Sequence, residues 1–154
     1  MTTLQMNESL AVGIDRMDAV HGEFVECFNA LAAASAEGFV PALDALIDHC
    51  EAHFGMENAW MAAVSFPGCH RAEHDRVLQV MRDIRVRALR GDLALGRQLV
   101  REIPDWFETH ATGMDAALAY YLNSIDFDIE TGCPPAGWSP AEGDAEAVEK
   151  PRCT

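Results

Sequence analysis

The sequence holds a single lysine. Its basic side chains number 11 against 25 acidic ones, a formal charge of −14. Nucleic acid and anionic membrane surfaces both call for a basic face, so this balance argues against either as a partner. Eight of the ten arginines fall between Arg71 and Arg101, but acids interleave with them. That pattern reads as a solvated helix face with local ion pairs. Long hydrophobic runs are also missing, and none approaches the ~20 residues needed to span a bilayer. The opening "MTTLQMNESLAVGIDRMD" has no basic stretch followed by an apolar block, so it does not read as a signal peptide. Cysteines are few and odd in number, at 27, 50, 69, 133 and 153, without framework spacing. They read as reduced thiols in a cytoplasmic protein. Cys69 reads as a small buried hydrophobe at a helix start rather than a functional thiol. No segment alternates at period two strongly enough to suggest a sheet.

What is present is helical patterning. At 154 residues and 49% apolar, the chain is long enough for one domain with a real core. After an extended arm over residues 1–17, Asp18 is expected to cap a helix running to about Ser35, with Val20, Phe24, Phe28 and Leu31 at helical spacing. Pro41 suits the first turn of a second helix reaching about Val64, and "SFPG" at 65–68 breaks the chain. A third helix is predicted over 69–89, with Gly91 beyond its end. A fourth stretch runs from about Asp92 to Leu122, with a kink or new start near Pro104 and a second break near Gly113. Four antiparallel helices with short connections make an all-α, up-down-up-down four-helix bundle over residues 1–127. From Asp128 the composition turns to Pro, Gly, Ala and Glu, with Trp138 almost the only large apolar group. Residues 128–154 are therefore expected to form a flexible acidic tail.

The histidines carry the chemistry. "HFGMENAWMAAVSFPGCHRAEH", residues 53–74, contains His53 and Glu57 one turn apart, then His70 and His74 one turn apart. Residues four apart share a helix face, so each pair can hold one metal ion. The short connection keeps the two helices adjacent, so both pairs can face one interior. His21 lies on the stripe of Phe24 and Phe28. His110 lies in the fourth stretch, with Asp115 five residues on. Every helix thus delivers at least one ligand type inward. A lone histidine on an apolar face is usually a hydrogen-bonded core residue; four helices doing this together point to a metal.

The segments "MDAVH" (17–21), "HFGMEN" (53–58), "HRAEH" (70–74) and "HATGMD" (110–115) resemble the ligand motifs of the hemerythrins, in particular the bacterial single-domain kind. The resemblance covers about residues 10–125 and fills all seven ligand positions. It implies two iron ions per chain in a non-haem centre bridged by an oxo or hydroxo group. By this resemblance His70, His74 and His110 bind one iron, His21 and His53 the other, and Glu57 and Asp115 bridge them. The iron with two imidazoles keeps a position open for dioxygen. Trp106 and Phe107 resemble the wall of the dioxygen pocket, a role compatible with being ordinary core aromatics.

Imidazole and carboxylate suit iron independently of the resemblance, and no cysteine is needed. Enzymatic di-iron bundles use more carboxylates, with Glu-x-x-His motifs absent from this chain. A histidine-rich set favours high-valent iron less, so the expectation is reversible oxygen binding, as carrier, store or local supplier. A sensor of oxygen, nitric oxide or redox state and a peroxide- or iron-handling enzyme are the alternatives. The expected partners are dioxygen and an oxygen-consuming enzyme, with the chain a monomer. Some positions depart from the family pattern. Asn58 stands where a second Glu is usual, Ala111 follows His110 where Ile is favoured, and the arm lacks its usual aromatic. His49, one turn before His53, is open to readings as a spare ligand, a donor to a ligand, or an exposed or capping residue.

Overall fold

The computed structural model describes residues 3–140. Four long helices dominate: α1 (Asp15–Ala33), α2 (Phe39–Ala63), α3 (Cys69–Leu89) and α4 (Ala94–His110). A π-turn over Ala111–Asp115 follows α4 and leads directly into α5 (Ala116–Ser124), so these three segments form the fourth member of the bundle. α1 packs along α2, α2 along α3, and α4 closes the ring against α3 and α1. The chain is an all-α four-helix bundle. Among the described residues there is no strand, only one isolated antiparallel bridge between Asp128 and Cys133. No described helix is long and apolar enough to cross a membrane.

Each helix is held by the stripe its sequence provides. α1 buries Met17, His21, Phe24, Phe28 and Leu31, spaced three or four apart along one face. Its start differs from expectation. Asp18 is not the cap but sits in the first turn, and its carboxylate accepts the Val12 N–H at 2.8 Å, tying the arm to the helix. The arm itself is pinned twice more. Leu4 N–H donates to Asn29 Oδ1 and Asn29 Nδ2 donates back to the Leu4 carbonyl, both at 2.8 Å. Pro41 stands in the first turn of α2, where its missing N–H has no intrahelical partner to lose. The break at 65–68 includes Ser65 at φ 51°.

Pro104 does not end a helix. α4 runs through it, because Ile103 and Phe107 on either side are buried at 3% and 1% exposure. That packing outweighs the hydrogen bond Pro104 cannot donate to the Val100 carbonyl. The irregularity falls at 111–115, around Gly113 where a second break is expected, and there Ala116 N–H reaches the Ala111 carbonyl five residues back.

The tail expected from Asp128 opens with local order. Asp128 Oδ1 accepts the N–H groups of Glu130 and Thr131, and Trp138 packs against a cluster that includes Trp60, Leu118, Leu122 and Phe127. Residues 141–154 lie outside the described residues. The expected ion pairs on the arginine-rich face are present as Arg76–Glu73, Arg82–Glu51 and Arg85–Asp44, the last two joining α3 to α2. Cys27, Cys50 and Cys133 carry free thiols. Cys69 does not: it is disulfide-bonded, which corrects the reduced-thiol reading at that position.

Candidate metal centre

The core is two apolar clusters with a polar layer between them. On α1, Met17 belongs to one cluster and Phe24 to the other, with His21 between. On α2 the switch falls between Phe54 and Trp60, at Glu57; on the last bundle member it falls between Phe107 and Leu118, at His110 and Asp115. The buried charged and imidazole groups among the described residues are His21, His53, Glu57, His70, His74, His110 and Asp115, none more than 5% exposed. These are the seven residues singled out in the sequence.

Their inner atoms converge. All five imidazoles turn Nε2 inward, and the carboxylates sit between two groups of them. Glu57 presents Oε2 to His53 Nε2 at 2.6 Å and Oε1 to the Nε2 atoms of His70 and His74 at 3.4 Å each. Asp115 presents Oδ2 to His21 at 2.9 Å and Oδ1 to His70 and His110 at 3.0 and 3.2 Å. Each carboxylate therefore gives one oxygen to a three-imidazole side and the other to a two-imidazole side. Two compact donor groups result, Glu57, His70, His74, His110, Asp115 and His21, His53, Glu57, Asp115, the donor atoms of each lying within 4.8 Å of one another.

The π-turn makes this possible. In a regular α-helix, residues five apart point about 140° away from each other. The wider turn over Ala111–Asp115 returns Asp115 to the face of His110.

Hydrogen bonding alone does not satisfy the layer. His110 Nε2 lies 3.3 Å from both His70 Nε2 and His74 Nε2. A neutral ring nitrogen is either donor or acceptor, so three converging Nε2 atoms cannot all be paired by protons. Asp115 keeps both oxygens, and His21 its Nε2, buried without an aligned hydrogen bond despite their closeness. Cations between these lone pairs would satisfy all of them at once, and imidazole with carboxylate is a donor set for divalent transition metals. The residues fit a metal site of the di-iron type.

The charges agree. Burial and the neighbouring Asp115 charge push Glu57 up, but the close imidazoles of His53, His70 and His74 outweigh them and hold its carboxyl below the usual range. Asp115 is likewise held low, burial being overcome by His110, His21 and His70. Burial would lower His70, yet the two carboxylates raise it to about 9, and His21 is raised by Asp115 in the same way. Both carboxylates are thus kept as anions, the form that binds a metal.

The aromatics differ in placement. Phe107 meets His21 edge-on at 5.3 Å and stacks on Phe24 at 4.4 Å, beside the two-imidazole side. Trp106 stacks on His110 at 4.7 Å, on the three-imidazole side, and its Nε1–H donates to Glu73 Oε1 at 2.9 Å. His49 is half-buried against Phe24 and His53 and belongs to neither donor group. Two neighbours had no ligand signature in the sequence. Phe54 lies flat on His74 at 4.1 Å, and Asn58 Oδ1 is 2.9 Å from His74 Nδ1. Their four-residue spacing, one position on from His53 and Glu57, was the only hint of a second ridge facing α3.

Known proteins share this pattern. The sequence model of the Hemerythrin HHE cation binding domain matches residues 12–122. A bacteriohemerythrin of Ralstonia nicotianae is 49% identical over 124 residues, 79% of this chain and 90% of that protein. Bacteriohemerythrins of Stenotrophomonas maltophilia and Methylococcus capsulatus are 28% and 31% identical over 150 and 75 residues. The first alignment covers 90% of this chain and 94% of its counterpart, the second 47% and 57%. No solved structure matches the chain. With the family's pattern spanning the bundle and its donor residues gathered in one buried layer, the chain belongs to the hemerythrin family.

Proposed function

We propose that this chain binds dioxygen reversibly at a non-haem di-iron centre, as carrier, store or local supplier, and is not an enzyme. The observation that carries the reading is the asymmetry of the donor layer: three imidazoles on one side, two on the other, and two carboxylates shared between them. His70, His74 and His110 would hold one iron, His21 and His53 the second, and Glu57 and Asp115 would bridge them, with an oxo or hydroxo group as a further bridge. Bound there, a ferrous pair supplies reversible two-electron redox chemistry toward dioxygen.

The protein's part is to leave room and keep protons away. The two-imidazole side has one protein donor fewer, so the ligand would approach there. Phe107 and Phe24 cover that side with apolar rings, of which Phe107 is 1% exposed. Such walls exclude water and the protons that would carry a reduced oxygen product away. Phe107 is the better candidate for a pocket wall; Trp106 would instead steady His110. His49 adds an ionisable group beside the layer, its ring 5.4 Å from that of His53. Burial and the proximity of His53 push it down, which leaves it neutral at pH 7.

A cytoplasmic setting is supported by the free thiols of Cys27, Cys50 and Cys133, while the bonded state of Cys69 weighs against it. We take the chain as a monomer that delivers to an oxygen-consuming enzyme. The deciding experiment is elemental analysis followed by absorption spectra of the anaerobically reduced protein before air, in air and after oxygen removal. Two irons per chain and a spectrum that returns over many cycles are expected. One zinc, or no stoichiometric iron in fresh protein, would overturn the reading. Oxidation within a few cycles, or steady peroxide turnover with a reductant, would put the enzyme in its place.

A further inference from the structure

The five imidazoles of the layer are not held alike. His21, His53, His70 and His110 leave Nδ1 buried without a hydrogen-bond partner. His74 alone has its outer nitrogen engaged, by Asn58 Oδ1 at 2.9 Å. Asn58 is half-buried on α2, one helical turn beyond Phe54, whose ring lies 4.1 Å from that of His74 at an interplanar angle of 2°. The ring is therefore clamped flat by one neighbour and fixed in its plane by the other.

This contact determines which nitrogen faces inward. An amide oxygen only accepts, so Nδ1 carries the proton and, in the neutral ring that binds a metal, Nε2 keeps its lone pair. That lone pair points toward Glu57 Oε1 at 3.4 Å and His110 Nε2 at 3.3 Å, the region where a cation is needed. Rotating the ring by half a turn would break the Asn58 contact and present carbon inward. Asn58 is also neutral. A carboxylate in its place would pull harder on the Nδ1 proton, making Nε2 more basic and better able to stabilise ferric iron.

We propose that Asn58 is a positioning residue for the metal centre: it fixes His74 as an Nε2 donor and, by being an amide, keeps that donor weak enough to favour the ferrous state. The inference rests on the di-iron reading above.

The test uses the full chain with Asn58→Leu, which cannot accept, and Asn58→Asp, which accepts with charge. In metal-free protein labelled with 15N at histidine, two-bond proton–nitrogen correlation reports the His74 tautomer. Wild type and Asn58→Asp should show Nδ1–H, and Asn58→Leu a mixture. After ferrous loading, Asn58→Leu should lose iron to a chelator about 10–100-fold faster than wild type, and Asn58→Asp no faster. The midpoint potential of Asn58→Asp should lie below that of wild type. The proposal is overturned if Asn58→Leu keeps both the wild-type tautomer and retention, if Asn58→Asp releases iron as fast as Asn58→Leu, or if its potential does not fall. Wild-type protein that holds no stoichiometric iron would overturn the di-iron reading itself, and the tautomer measurement would still report on the Asn58 contact.

Discussion

Replacing Asp115 by Asn tests the donor layer most sharply, because the change removes charge and keeps shape. Asp115 is wholly buried, with the Nε2 atoms of His21, His70 and His110 at 2.9, 3.0 and 3.2 Å. In the metal-free protein those imidazoles lose the anion that offsets their burial. Removing one partner of a buried charged group costs about 3–5 kcal/mol. At roughly 2–4 °C per kcal/mol for a domain of this size, melting should fall by about 6–20 °C. Set against a total stability of about 5–15 kcal/mol, the loss is a large share. With metal, the expectation depends on sharing. Asp115 belongs to both donor groups, whereas His21 belongs to one. Asp115→Asn should therefore empty both positions and His21→Ala only one. The assays are thermal melts by far-UV circular dichroism after chelation, and metal per chain by elemental analysis. A melting change under about 2 °C would show that the imidazoles do not depend on this charge. Metal loss no greater than in His21→Ala would refute the shared role.

Metal-free protein should lose stability steadily as pH falls from 6.5 to about 3. Glu57 and Asp115, held low, contribute above the carboxylate range and lose that contribution as they protonate, and His74 and His49, also held low, resist charging below 6.5. His21 and His70 are raised, so their contribution is already complete below 6.5 and offsets nothing further; a urea midpoint that stays flat over this range would contradict the balance. His49→Ala should leave metal content unchanged while Glu57→Ala empties the site, and the reverse result would place the α2 ligands one turn earlier. Trp138→Ala removes the packing of that ring on the second cluster and should cost about 1–2 kcal/mol in a denaturation series, against no change if the ring makes no stabilising contact. Gly96→Ala should destabilise by about 1–3 kcal/mol despite better helix propensity, because a Cβ there would stand 2.4 Å from the Phe39 ring; an equal or higher melting temperature would show that Phe39 moves aside freely.

The sequence by itself determined the parts of this protein that depend on local periodicity. Apolar stripes three and four apart dictated the helices, and "SFPG" placed α2 beside α3 closely enough that two chelating pairs had to meet. The His53–Glu57 and His70–His74 pairs were legible because each closes within one helical turn. What only the tertiary structure decided are relations with no fixed spacing. A break was expected near Pro104, but burial of Ile103 and Phe107 carries the helix through it. Gly113 marked a second break but not its form, a π-turn that aligns His110 with Asp115 across an interval a regular helix would misplace. Trp138 looked too isolated to dock, since the surface it meets is assembled from α2 and α5. Asn58 read only as a missing charge; its contact with His74 spans two helices and sixteen residues. Periodicity encodes which face of a helix is buried. Which atoms meet across that face depends on how helices are rotated and where a turn is widened, and that is settled only when all of them pack at once.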